Sequence, residues 1–179
     1  MPHPLLLSSL PARAGEDRLV NVVVETPRGG RNKYSYDEES GAFRLKKVLP
    51  LGMSFPFDFG FVPSTLAEDG DPLDILVLMD EPAAVGTLVL ARAIGVVEAE
   101  QSEAGKMVRN DRLLGVAEPC LRYEGVRGLG DLRPRLLDEI EQFFVSYNRL
   151  GGTEFRPIGR KGADRALELI EQAAASRRR

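Results

Sequence analysis

Histidine is nearly absent: His3 is the only one, beside a single cysteine, Cys120, and no tryptophan. One cysteine excludes a disulfide within the chain and a cysteine-rich zinc site, and Cys120 itself reads as a small buried side chain before it reads as a reactive thiol. One histidine, near the start of the chain, disfavours Ser-His-Asp and Cys-His catalysis as well as a histidine-built transition-metal site. Apolar runs of membrane-spanning length are also missing. The early Leu5-Leu6-Leu7 lacks the basic lead and long apolar region of a signal peptide, so a cytoplasmic protein that does not engage membranes is expected. A net charge of -3 argues against a broad basic face for nucleic acid. An anionic ligand has to be met locally, and any chemistry falls to carboxylates, lysine, tyrosine or a hard metal.

What is present suffices for a packed core. The chain has 179 residues and 43% hydrophobic content, and shows no repeat, low-complexity linker or break in composition. One domain over 1–179 is expected, with 1–15 mobile and 176–179 a basic, solvated tail. The first two-thirds reads as β structure. The β-branched run Val20 to Glu25 ends at Pro27, Asn32 to Tyr36 and Ala42 to Val48 read as a hairpin around a turn at 37–41, and further strands are expected at Ile75 to Met79, Thr87 to Ala99 and Arg112 to Val116. Phe55, Phe57, Phe59 and Phe61 recur at every second residue, but Pro56 and Gly60 interrupt them, which predicts an edge or irregular strand. The period then changes. Leu136, Leu137, Ile140, Phe143, Phe144, Tyr147 and Leu150 form one helical stripe ended by Gly151-Gly152, and Ala163 to Ala175 predicts a second amphipathic helix with Ala166, Leu167, Ile170 and Ala174 inward. Strands followed by helices indicate an α+β fold, mainly β: a barrel-like core with helices outside it.

The chemistry concentrates at Glu68-Asp69-Gly70-Asp71-Pro72-Leu73-Asp74. Acids this close repel one another unless a cation relieves them. Asp69 and Asp71 share a face if the backbone is extended, and Asp74 joins them after the bend at Pro72. Oxygen-only ligands suit Mg²⁺ or Mn²⁺, and the spacing does not fit a calcium-binding helix-loop-helix. The same residues are also ordinary turn chemistry, so an exposed acidic turn stays open. Glu25 at a strand end, Lys33 on the next strand and Tyr147 on the helical stripe would complete a phosphate site. Read plainly, they are a surface ion pair and a core tyrosine. No glycine-rich phosphate loop competes: Gly105-Lys106 and Gly128-Leu129-Gly130 both lack the residues such loops require.

At these residues the chain resembles the soluble, metal-dependent inorganic pyrophosphatases of bacteria (family I). The most specific element is Asp69-Gly70-Asp71-Pro72-Leu73-Asp74, similar to that family's D-G-D-P-x-D. Support comes from Glu25 with Pro27, Lys33-Tyr34, the turn Glu39-Ser40-Gly41-Ala42, the Phe-Pro-x-x-Phe-Gly-Phe segment at 55–61, and Phe143-Phe144 before Tyr147. The resemblance implies an OB-like five-stranded β-barrel flanked by two main α-helices. It implies Mg²⁺-dependent hydrolysis of pyrophosphate to two phosphates by a metal-activated water, in a homo-oligomer, typically a hexamer. Asp69 and Asp74 would hold the metals, with Asp71 in the same cluster as general base. Glu25 would organise the metal-water network, and Lys33 and the Tyr147 hydroxyl would touch phosphate.

The chain also departs from that pattern. Ser35 stands where the family has a glutamate and Lys47 where it has a phosphate-binding arginine. Phe55 and Phe59 replace tyrosines, Asn148 replaces a lysine, and Asn110-Asp111-Arg112 replaces D-x-K, so that Arg112 keeps a substrate-binding cation while an aspartate is lost. Gln101 or Glu103 falls near another expected aspartate. Glu98, Glu100, Glu103 or Asp111 would have to supply a substitute, although Asp111 points away from Asn110 and Arg112 in an extended strand. The alternative function is therefore a weakened relative that binds a phosphate-bearing ligand or a protein partner, or cleaves a different phosphoanhydride.

Overall fold

The computed structural model describes residues 6–15 and 17–178, so His3 and Arg179 lie outside the described residues. Five strands close a ring: β1 (Leu19–Thr26), β4 (Asp58–Phe61), β5 (Asp74–Leu78), β8 (Arg112–Glu118) and β6 (Leu88–Glu103) pair in that order, and β6 pairs again with β1. Only the β5–β8 contact within the ring is parallel. This is the five-stranded barrel expected, with α1 (Pro134–Leu150) and α2 (Ala163–Arg177) outside it. Two strands not anticipated, β7 (Lys106–Arg109) and β9 (Phe155–Gly162), extend the sheet from β6. β2 (Asn32–Asp37) and β3 (Ala42–Val48) form a separate hairpin beside β1.

Both faces of the sheet are covered, and side-chain alternation divides the core. Leu76 and Leu78 of β5 pack with Phe55, Phe59, Ile94 and the α1 stripe of Leu137, Ile140 and Phe144. Ile75 and Val77, one residue out of phase, pack with Val20, Val22 and the α2 residues Ala166, Ile170 and Ala173. Ala173, not Ala174, is the small residue turned inward near the end of α2. Each fully buried side chain such as Ile140 or Phe144 stabilises the fold by roughly 1.5–3 kcal/mol, so α1 is held by its apolar stripe more than by helix propensity.

The phenylalanine segment is a correction in part: only Asp58–Phe61 is strand, so the run is interrupted at Pro56 as expected. β4 is paired on both sides, by β1 and β5, and is no edge strand. Gly60 does not break it but permits it: a Cβ there would lie 2.0 Å from the Val23 carbonyl oxygen. Of the segment 1–15, residues 6–15 lie against the barrel, with Ser8 and Ala12 buried and the Ser64 amide donating to the Ser8 carbonyl at 2.8 Å. Arg177, read as tail, donates to both carboxylate oxygens of Glu38 at 2.8 and 2.9 Å. Among the described residues no helix is long and apolar enough to cross a membrane.

Candidate active site

A cavity of about 590 Å³ opens between the β2–β3 hairpin and the barrel, and Glu25, Lys33, Lys47, Asp69, Asp71, Asp74, Arg112 and Tyr147 all line it. Two irregularities in strand pairing aim its residues. Val24 pairs with Gly60 and Thr26 with Phe59, so Glu25 is the extra residue of a bulge and leaves the ladder. Its carboxylate accepts the Tyr36 amide at 2.7 Å. Burial, with repulsion from Asp74 adding to it, pushes the Glu25 pKa up to about 7 against the pull of that hydrogen bond and of nearby lysines. On the hairpin, Lys33 pairs with Lys47 but Tyr34 with Leu45, which makes Lys46 the extra residue and brings a third ammonium to the cavity. Loss of water, then repulsion from Lys33 and Lys46, lowers Lys47 to about 8, and burial lowers Lys33 as well.

Aromatic faces take up part of this positive charge. The Lys33 ammonium lies 5.0 Å from the Phe59 ring centroid and the Lys47 ammonium 4.0 Å from that of Tyr147. Phe59, without a hydroxyl to offer, thus still meets a cation. Tyr147 is buried against Phe143 and Phe55, and its hydroxyl has no hydrogen-bond partner among the described residues; burial pushes its pKa up. The Nε of Arg112 is likewise buried and unpartnered. Unsatisfied donors of this kind are costly in a closed core and are usable by a ligand rich in oxygens.

The acidic loop is a turn and not the extended segment pictured from its spacing. Gly70 takes φ of +86°, and the Asp69 carboxylate accepts the Asp71 amide at 3.1 Å. Asp71 is exposed, Asp69 and Asp74 half-buried. Burial raises the Asp69 pKa to about 6, with repulsion from Asp74 and Asp71 contributing. Asp74 is placed by sheet register: β5 and β8 run parallel with Ile75 opposite Leu113, so the preceding residues, Asp74 and Arg112, come side by side and form an ion pair at 2.8 Å.

The departures from the family pattern have definite places. Asn148 spends its amide on the Phe144 carbonyl at 2.9 Å and accepts from the Thr153 hydroxyl at 3.1 Å, which ties off the end of α1. Asp111 is buried, taking the Ala99 amide and the Arg109 guanidinium, and Glu98 is engaged by Arg109 and Arg165. Glu100 pairs with Arg156. These carboxylates are committed elsewhere, whereas Gln101, Glu103 and Asn110 do line the cavity. The sequence reading missed Lys46, Glu38 and Arg177 as cavity residues. Only the lysine doublet at 46–47 could have signalled one of them.

The donors fit a hard divalent cation by chemistry: carboxylates from Asp69, Asp71 and Asp74 and amides from Asn110 and Gln101 line one cavity, and burial, with repulsion from Asp74 and Asp71 added, disfavours the bare Asp69 carboxylate. Among the described residues, however, no group of three acidic, histidine or cysteine side chains is arranged to hold a metal ion as it stands. Asp74 is turned to Arg112 instead.

Comparison with known proteins places this geometry. The family model for inorganic pyrophosphatase matches residues 22–178. The inorganic pyrophosphatases of Synechocystis sp. and Thermus thermophilus are each 40% identical to the chain, over 93% and 94% of it and 95% and 96% of their own lengths. The crystal structure of the Thermus thermophilus pyrophosphatase superposes with a TM-score of 0.90 at 36% identity, covering 97% of this chain and 99% of that one. That of the Coxiella burnetii enzyme gives 0.85 at 36% identity, over 93% and 99%. With sequence and fold in agreement over nearly its whole length, the chain belongs to the inorganic pyrophosphatase family.

Proposed function

We propose that the protein hydrolyses pyrophosphate to two phosphates in this cavity, with Mg²⁺ or Mn²⁺ as cofactor. The observation that carries the reading is the opposition of an acidic loop and a lysine-bearing hairpin across one cavity. Asp69, Asp71 and Asp74 would hold the metal, which when bound supplies positive charge for the phosphate oxygens and acidity for water. Lys33, Lys46 and Lys47 hold the outer phosphate oxygens, and the unpartnered Tyr147 hydroxyl and Arg112 Nε add donors. Asp71, the exposed carboxylate of the three, takes the proton of the attacking water as its oxygen bonds to phosphorus. The bridging P–O bond breaks and the second phosphate leaves. Glu25, raised to about 7, keeps a proton available beside Lys33 at neutral pH. A cytoplasmic homo-oligomer, hexameric as the family resemblance implies, completes the reading, and exposed Leu45, Val48 and Leu51 on and after β3 would serve association.

The test is phosphate release from pyrophosphate, from nucleoside triphosphates and from tripolyphosphate, with Mg²⁺ and then Mn²⁺. Preference for pyrophosphate supports the reading. A weakened, ligand-binding relative is favoured by Ser35 and Asn110, which stand where the family pattern has carboxylates, and by the rings of Phe55 and Phe59, which cannot donate to phosphate. No release from any substrate, with phosphate still bound, would establish that alternative.

A further inference from the structure

We infer that Arg112 is a built-in cation that competes with the divalent metal for Asp74, so that the protein's own guanidinium limits how tightly the acidic loop binds metal. This rests on the assignment of Asp69, Asp71 and Asp74 as metal ligands.

Three side-chain oxygens, from Asp74 on β5, Gln101 on β6 and Asn110 between β7 and β8, converge on this one guanidinium. Its Nη1 meets Asp74 Oδ2 at 2.8 Å and also Asn110 Oδ1, while Nη2 meets Gln101 Oε1 at 3.4 Å. Oxygens gathered round a central positive charge are the arrangement a bound cation requires, and here the cation is covalently part of the chain. The charges already balance: Asp74 contributes the single negative charge, Asn110 and Gln101 are neutral, and Arg112 is positive.

Arg112 is also fixed in place. It is 5% exposed, its guanidinium lies 5.0 and 5.3 Å from the Phe144 and Phe155 ring centroids, and Nη1 is within 3.1 Å of the Asp111 carbonyl. A metal drawing Asp74 away would leave a buried guanidinium with only neutral acceptors, which is unfavourable. A metal sharing Asp74 would receive one carboxylate oxygen already weakened by its neighbour, beside a like charge. Either way metal affinity is reduced. A residue acting only as a phosphate anchor would change substrate affinity and leave substrate-free metal binding alone.

The experiment is calorimetric titration of the substrate-free protein with Mn²⁺. Arg112→Gln, which keeps a polar side chain and removes the charge, is expected to bind Mn²⁺ about tenfold or more tightly than the parent, on the scale of the 1–3 pKa units that one adjacent charge imposes on a carboxylate. Asp74→Asn added to Arg112→Gln is expected to cancel the gain. If Arg112→Gln does not fold, Arg112→Lys carries the test: a compact ammonium cannot span Asp74, Asn110 and Gln101 together, and a smaller gain is expected. Unchanged or weaker Mn²⁺ binding in the folded variants overturns the inference while leaving the metal site standing, as does a gain that survives Asp74→Asn. Absence of Mn²⁺ binding in parent and variants alike overturns the inference together with the metal assignment.

Discussion

The acidic wall of the cavity is part of the barrel, whereas the lysine wall stands on a hairpin held mainly by side chains. Asp74 opens β5, which is paired on both sides, and the loop before it is tied by the Ala67 amide to the Asp71 carbonyl at 2.8 Å and by the Leu73 amide to the Thr65 hydroxyl at 3.0 Å. The hairpin reaches β1 through two side-chain acceptors, Glu25 for the Tyr36 amide and Thr26 for the Tyr34 amide, β4 through stacking of Tyr36 on Phe61 at 6.0 Å, and α2 through Glu38 with Arg177. One ligand-facing group, Glu25, is therefore also a fastening. The backbone that carries the acids is tied to the barrel, although Asp74 is turned to Arg112, while cations that follow phosphate oxygens sit on the element with fewer backbone ties to the ring.

The comparison predicts that damage to the two walls differs in kind. Asp71→Asn should lower Mg²⁺-dependent turnover by roughly 10²- to 10⁴-fold, the usual contribution of a general base, and should weaken metal binding less than that, because Asp69 and Asp74 remain as ligands and the amide oxygen can still face the metal. Retained phosphate release would place the base elsewhere. On the other wall, Lys33→Met should lower kcat/KM by roughly 10- to 100-fold through lost charge-assisted contacts, and leave Mn²⁺ affinity in calorimetry within about twofold. A parallel loss of metal binding would erase the distinction between the walls.

The fastening itself titrates. Burial raises Glu25 from 4.5 to about 7, so between those pH values the folded chain holds a proton that the unfolded chain has released, and stability falls as pH rises through that window. Glu25→Gln preserves an oxygen for the Tyr36 amide and removes the charge. The metal-free variant should gain roughly 1–3 kcal/mol in urea unfolding at pH 8 and nothing at pH 4. An equal gain at both values would refute the shift. The smallest effect is expected at the hairpin tip. Glu38→Gln breaks a half-exposed pair with Arg177, costing less than about 1 kcal/mol and less still at high salt. Hydrogen exchange should quicken at the Tyr34 and Tyr36 amides before those of β5. Unchanged exchange would mean that Arg177 does not restrain the hairpin.

Most of the ring was legible because its strands carry their own signals. β1, β5, β6 and β8 are β-branched or apolar runs bounded by glycine, proline or acidic turns, and both helices show a clear apolar period. β9 was not legible. Phe155-Arg156-Pro157-Ile158-Gly159-Arg160-Lys161-Gly162 contains a proline and two glycines and buries only Phe155; pairing with β6 makes it a strand, with no pattern of its own. The acidic loop could be read from local spacing. The meeting of Asp74 with Arg112 could not, because it depends on the register of two parallel strands far apart in the chain. Lys46 was obscured in the same way: it reaches the cavity through a bulge, and a bulge is a property of two strands together, whereas Glu25, also on a bulge, was legible as an acid at a strand end.

The closure of the ring between β6 and β1 bears on how the molecule avoids its own kind. A closed barrel offers no unpaired strand edge along the ring, so β-sheet growth by addition of another chain has to begin elsewhere. Among the described residues β3 is paired on one side only, and its length carries exposed Leu45 and Val48. Arg44, Lys46 and Lys47 punctuate that same strand. Two copies aligned edge to edge would bring these positive charges together, and the repulsion discourages fibrous assembly at this edge. Charges placed to receive phosphate thereby serve solubility as well, and neutralising them for enzymological purposes is expected to expose an aggregation hazard that has nothing to do with catalysis.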